Sequence, residues 1–189
     1  KLTVLDISNP ISPTVIGQTA PFTGNVYDIY VVDTYAYVAA GGVLRVIDTS
    51  VPTNPVEIGV YDDHLYGIYH VVVAGDYAYV SPGNDYFQVI NISTPTTPTD
   101  VRSSGFEYYD VRDMAVVDDY LDLSEEGPKA FGGLHIVNVA DPTEEALGRV
   151  SVQCSYPIRL PVGCRPHNRA PWWWPPRHQI TVKDRPPPS

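Results

Sequence analysis

The sequence predicts an all-β chain: a partial β-propeller of four-stranded antiparallel blades, about three and a half repeats of 42–47 residues, followed by an irregular tail. Three observations predict it. The chain repeats itself in two registers that share one period, and its strands are short and rich in valine and tyrosine. Its 19 prolines and 14 glycines fall between those strands as punctuation.

The first register is a turn. Val4-Leu5-Asp6-Ile7-Ser8-Asn9-Pro10 aligns with Val46-Ile47-Asp48-Thr49-Ser50-Val51-Pro52, with Val89-Ile90-Asn91-Ile92-Ser93-Thr94-Pro95 and with Ile136-Val137-Asn138-Val139-Ala140-Asp141-Pro142. Successive prolines are separated by 42, 43 and 47 residues. A second proline follows at Pro13, Pro55 and Pro98, with Glu145 in that place in the fourth copy. Asp and Ser side chains bond nearby backbone N–H groups, while proline fixes φ and ends ladder pairing, so the motif reads as a strand terminator. The second register is a strand. Asp33-Thr34-Tyr35-Ala36-Tyr37-Val38 matches Gly75-Asp76-Tyr77-Ala78-Tyr79-Val80 and, more loosely, Asp118-Asp119-Tyr120-Leu121-Asp122-Leu123.

Turn residues cut each unit into four strands. In the second unit these are His70–Ala74, Tyr77–Ser81, Phe87–Ile92 and, from the preceding turn, Pro55–Tyr61. Alternation in Leu44-Arg45-Val46-Ile47-Asp48 and Tyr35-Ala36-Tyr37-Val38 buries one face and leaves the other for a neighbour. Gly17 and Gly59 sit where a strand needs a bulge or a close backbone approach. Four strands in 40–45 residues is one blade; solenoid repeats are shorter, and a sandwich needs no fixed period.

The Gly-Gly-Val-Leu-Arg-Val-Ile-Asp run ending at Asp48, the Asp-x-Ser-x-Pro-x-x-Pro-Val-x-x-Gly turn and the Asp-Tyr-Ala-Tyr-Val strand together resemble the LVIVD repeat family. The resemblance covers residues 1 to about 150 and is specific in the first three copies. In the fourth, Asn138 replaces Asp, Ala140 replaces Ser, and an insertion at Ser124–Gly133 enlarges a loop. The resemblance implies a propeller-like fold in a bacterial or archaeal cell-surface or secreted protein. It implies no catalytic motif. The chain opens inside a third strand, and closed propellers need more blades, so truncation at both ends is expected.

Residues 151–189 differ in kind. They carry six basic residues against one acidic, where residues 1–150 carry six against 21. They also hold Cys154, Cys164, Trp172–Trp174 and nine of the prolines, without a repeat register. Such a segment reads as a tail adhering to acidic polysaccharide or a membrane surface, as a disordered linker, or as translation in a wrong frame. The abruptness of the change favours the last. Cys154 and Cys164 have the spacing for a small disulfide, but no repeat contains cysteine, so the blades do not depend on one.

The net charge of −10 argues against nucleic acid, which needs clustered Lys and Arg. No run of 18 apolar residues offers a membrane span. No phosphate loop, dinucleotide motif or nucleophile elbow occurs, so no cofactor and no catalytic residue is assigned. His64, His70, His135, His167 and His178 lack zinc spacing, and Asp118, Asp119, Asp122, Glu125 and Glu126 lack a calcium-loop spacing, so no metal is assigned. The remaining candidates are Asp28, His70 and Asp113. These occupy one blade position at the entry to the inner strand, and converge at a channel mouth if they bind a ligand. Alternatively they cap backbone groups at a strand start. Tyrosines 35/37, 77/79 and 108/109 fit either glycan stacking or, better, packing between strands. The expected function is a non-enzymatic surface or secreted binding or scaffold module with a protein or glycan partner. The alternative is a polysaccharide hydrolase or lyase using Asp28 and Asp113.

Overall fold

A computed structural model describes residues 1–62, 67–82, 87–103, 111–126, 131–143 and 149–155. These form fourteen strands in four antiparallel sheets. A two-stranded sheet pairs β1 (Thr3–Asp6) with β2 (Thr14–Gln18). Blade 1 comprises β3 (Val26–Val32), β4 (Tyr35–Ala40), β5 (Val43–Asp48) and β6 (Val56–Tyr61). Blade 2 comprises β7 (Ile68–Ala74), β8 (Tyr77–Pro82), β9 (Gln88–Asn91) and β10 (Thr99–Ser103). Blade 3 comprises β11 (Val111–Val117), β12 (Tyr120–Glu126), β13 (Phe131–Asn138) and β14 (Arg149–Ser155). Each blade is a simple meander, and β1–β2 match the third and fourth strands of a blade.

The grouping of strands corrects one expectation. Pro55–Tyr61 was assigned with His70–Ala74, yet β6 pairs with β5 and completes blade 1, and the fourth strand of blade 2 is β10. The proline turn therefore lies within a blade, because a turn capped by Asp and Ser reverses the chain onto the strand it has just left. β14 also runs through the boundary expected near residue 150, so blade 3 extends to Ser155. Of the tail, Cys164 and Trp172–Trp174 lie outside the described residues, as do His64, Tyr108, Tyr109 and Glu145.

The two sequence registers each have a cause. In the proline turn the side chain at the Asp/Asn position accepts the N–H two residues on: Ser8 to Asp6 at 2.8 Å, Ser50 to Asp48 at 2.8 Å, Ser93 to Asn91 at 2.9 Å and Ala140 to Asn138 at 2.9 Å. The Ser8 N–H and then its hydroxyl hold the Asp6 carboxyl below its ordinary value, and the Ser50 hydroxyl and then its N–H do the same for Asp48. In the other register, Asp33, Gly75 and Asp118 open two-residue hairpin turns with φ of 51°, 54° and 52°. That left-handed conformation is one which Gly, Asp and Asn adopt at least cost.

The core lies between blades. One layer joins blades 1 and 2 through Tyr37, Leu44, Val46, Val71, Val80 and Ile90; another joins blades 2 and 3 through Tyr79, Phe87, Val89, Met114, Leu121 and Leu123. A thinner layer seats Leu2 and Phe22 on Ala36, Val38, Ala40 and Ile47. Each full burial of a Val, Leu, Ile or Phe side chain contributes about 1.5–3 kcal/mol, against about 1 kcal/mol net for a ladder hydrogen bond, so the layers dominate stability. Tyr37 and Tyr79 retain only 3% and 2% exposure, which makes them packing residues and not a stacking surface. Burial, with lesser contributions from Tyr77 and Asp119, pushes the Tyr79 hydroxyl up to about 12.

Neighbouring blades meet at backbone as well. A Cβ on Gly17 would stand 2.0 Å from the Pro52 oxygen, and one on Gly59 would stand 2.1 Å from the Pro95 oxygen. The register shifts beside both glycines, at Ile16 and Ile58, so the expected bulge and the expected close approach occur together. Gly59→Ala should therefore cost about 1–3 kcal/mol of unfolding free energy as the blades are forced apart. Urea denaturation followed by tyrosine fluorescence reads this; an unchanged midpoint would mean that the contact is slack.

Candidate functional site

The inner strands β3, β7 and β11 approach one another between blades, and each begins with the same irregularity. Pairing with the second strand slips between Val26 and Asp28, between Ile68 and His70, and between Val111 and Asp113. One extra residue, Tyr27, Tyr69 or Arg112, is extruded at each slip. A β-bulge of this kind re-aims side chains and is common beside functional sites. Tyr27 and Tyr69 remain 48% and 38% exposed, with ring centroids 4.6 Å apart and planes tilted by 59°. Arg112 is exposed in the third blade. The sequence signal for this row was present in Tyr27-Asp28-Ile29, Tyr69-His70-Val71 and Arg112-Asp113-Met114. It was missed because a bulge shows only once the partner strand is known.

Asp28, His70 and Asp113 each follow a bulge, so they do share one blade position. The contacts of Asp28 define its role. One oxygen accepts the N–H of Ile29 at 2.8 Å, and the other accepts the N–H of Val71 from the next blade at 3.0 Å. His70 Nδ1 stands 3.8 Å from that second oxygen, an ion pair when the imidazole is protonated. Asp28 thus staples blade 1 to blade 2. Asp113 repeats the local half of the pattern, accepting the N–H of Met114 at 2.9 Å. These contacts are the capping role anticipated for Asp at a strand start. Beside the staple, the Ile68 N–H donates to the Gly42 oxygen at 3.1 Å, a second backbone link between blades 1 and 2.

Asp118 and Asp119 belong to the β11–β12 hairpin turn, where the Asp119 carbonyl accepts the Val139 N–H at 2.7 Å. Among the described residues, no group of three or more His, Cys, Asp or Glu is placed to hold a metal ion. No helix there is long and apolar enough to cross a membrane. A groove of about 360 Å³ lies away from the bulge row, between residues 19–23 and the β5–β6 region. Arg45 lines it, bonding Glu57 at 2.9 Å and Thr23 at 3.2 Å, with its guanidinium 5.2 Å from the Phe22 ring centroid.

Three copies of the turn, two complete copies of the tyrosine strand and the blade geometry find their counterpart in a single family. The LVIVD repeat model matches residues 1–20, 23–63 and 69–104, just over half of the chain. The chain belongs to the LVIVD repeat family. The match stops at residue 104, short of the expected 150, although blade 3 of this LVIVD chain keeps the meander, the inner-strand bulge and the Asn138 turn. No curated protein matches the chain. Among solved structures it is similar to the computationally designed Ika4 protein, with a TM-score of 0.56 and 10% identity over 71% of this chain and 76% of that one. At that identity the likeness is one of fold alone.

Replacing Asp28 by Ala leaves two backbone N–H groups without their acceptor, one of them on Val71, itself 1% exposed. A loss of about 2 kcal/mol is expected for Asp28→Ala, and a smaller one for Asp113→Ala, whose described bond is to a single N–H. Paired chemical denaturation curves check the order; equal losses would deny the staple.

Proposed function

We propose that this LVIVD chain is a non-enzymatic binding or scaffold module, acting at the cell surface or in secreted form, that engages a protein or glycan through the bulged end of its inner strands. The exposed row Tyr27, Tyr69 and Arg112 carries the proposal. Two amphipathic rings 4.6 Å apart, with an exposed arginine at the same bulge position of the third blade, supply stacking and polar groups at little entropic cost. Residues 19–25, which lead into β3, adjoin this row and can add specificity. His70 and Asp113 border the row, so they remain part of the proposed surface, while Asp28 supports it from below.

The second reading, a polysaccharide hydrolase or lyase with Asp28 and Asp113 as acid and base, is less economical. Asp28 would have to give up two backbone N–H donors to reach a substrate. A glycan array probed with the full chain separates the two. The binding reading expects retained ligand and no cleavage product, and a loss of at least about tenfold in affinity for the doubly substituted Tyr27→Ala, Tyr69→Ala protein. Released oligosaccharide that disappears with Asp113→Asn would favour the enzyme instead.

A further inference from the structure

The groove beside Arg45 has a counterpart one repeat later, and there a tyrosine ring occupies it. Three repeat positions establish the match. Thr19 corresponds to Tyr61, because Thr19 bonds Leu2 through backbone and hydroxyl where Tyr61 pairs with Leu44. Arg45 corresponds to Gln88, each three residues before the turn's Asp48 or Asn91. Glu57 corresponds to Asp100, each two residues after Pro55 or Pro98. Between blades 1 and 2 these positions form one cluster. Gln88 Nε2 donates to the Tyr61 hydroxyl oxygen at 2.7 Å and to Asp100 Oδ1 at 2.9 Å, and Tyr61 packs on the core layer.

On blade 1 the Arg45–Glu57 pair repeats the Gln88–Asp100 bond, but Thr19 supplies no ring. Its short side chain stays local, accepting from the Leu2 N–H and donating to the Ala20 oxygen. The groove of about 360 Å³ extends over the same three positions and has the size of a small-ligand site. Its walls come from residues 19–23, β5 and the start of β6. Ala20, Pro21, Phe22, Pro55 and Val56 make it largely apolar, and Ala20, Pro21 and Val56 are exposed, so solvent reaches it. Arg45 donates three of its five N–H groups, to the Ala40 oxygen, Glu57 and Thr23, which leaves two. Glu57 uses one carboxylate oxygen on Arg45, which leaves the other to accept.

We propose that this groove binds a small hydroxyaryl compound, a second site independent of the bulged row. The ring takes the place that Tyr61 holds in the next repeat, between Phe22 and the Pro55–Val56 wall. A phenolic hydroxyl both accepts and donates, so it takes an Arg45 N–H and gives its own proton to the Glu57 carboxylate. That pairing sets the selectivity. A ligand carboxylate gains from Arg45 but is repelled by Glu57. A sugar brings several hydroxyls against apolar walls that offer them no partner, and each costs desolvation. A bare ring fills the space and leaves the polar pair unused.

The test titrates the full chain with 4-methylphenol, followed by amide chemical shifts. Saturable shifts should appear below about 10 mM and centre on residues 19–23 and 56–57. Toluene, which lacks the hydroxyl, and methyl glucoside, which lacks the aromatic ring, should each bind at least about tenfold more weakly. Thr19→Tyr, which restores the ring of the next repeat, should remove 4-methylphenol binding. No saturable shift, shifts centred on Tyr27 and Tyr69 instead, toluene or methyl glucoside binding as tightly, or undiminished binding to folded Thr19→Tyr would each overturn the proposal. The comparison of the three probes needs no variant, so it decides the matter even where the substitution unfolds the protein.

Discussion

The structure depends on face-to-face contact between successive blades. No sheet here has a core of its own: each buries its apolar side chains only against the sheet before or after it. Blade 2 is covered on both faces and buries its inner strand as well as β8 and β9, whereas blade 1 buries β4 and β5 but leaves Val26, Ile29 and Val31 exposed, and blade 3 exposes Val117 and Leu134. Stability is then a sum of intrinsic blade terms and nearest-neighbour interfaces, as in other repeat architectures.

Most of the family's sequence signature is packing grammar. The Asp or Asn of each turn caps the turn itself, the glycines of the first two copies admit a neighbour's proline carbonyl, and the hairpin-opening Asp or Gly permits a left-handed residue. Each of these positions already has a structural task. The bulged position departs from a fixed residue type, with tyrosine in two blades and arginine in the third. Arg102 at the glycine position of blade 2, and Asp122 where blades 1 and 2 carry Tyr37 and Tyr79, show the same loosening of the pattern towards blade 3.

Much of the fold was legible in the sequence. The period, the strand content and the turns followed from residue types at fixed spacing, and the buried tyrosines followed from alternation on one face. The grouping of strands into sheets was not legible, because a period has no origin: the same 42 residues can be cut before or after β6. The inner-strand bulges were hidden for a related reason, since a one-residue slip is a property of two strands together. Asp28, His70 and Asp113 do share a repeat position, yet the sequence could not tell that Asp28 reaches across to the Val71 N–H. That partner lies 43 residues away and is backbone.

The claim that stability lies between blades is tested most directly by native-state hydrogen exchange resolved to individual amides. The account predicts the slowest exchange in β8 and β9 of blade 2, faster exchange in β12 and β13, and the fastest in β1 and β2, which form a two-stranded sheet packed on blade 1 among the described residues. Equal protection of corresponding strands in all blades, or of β1 as strongly as β9, would show that each sheet is stable alone and would contradict it.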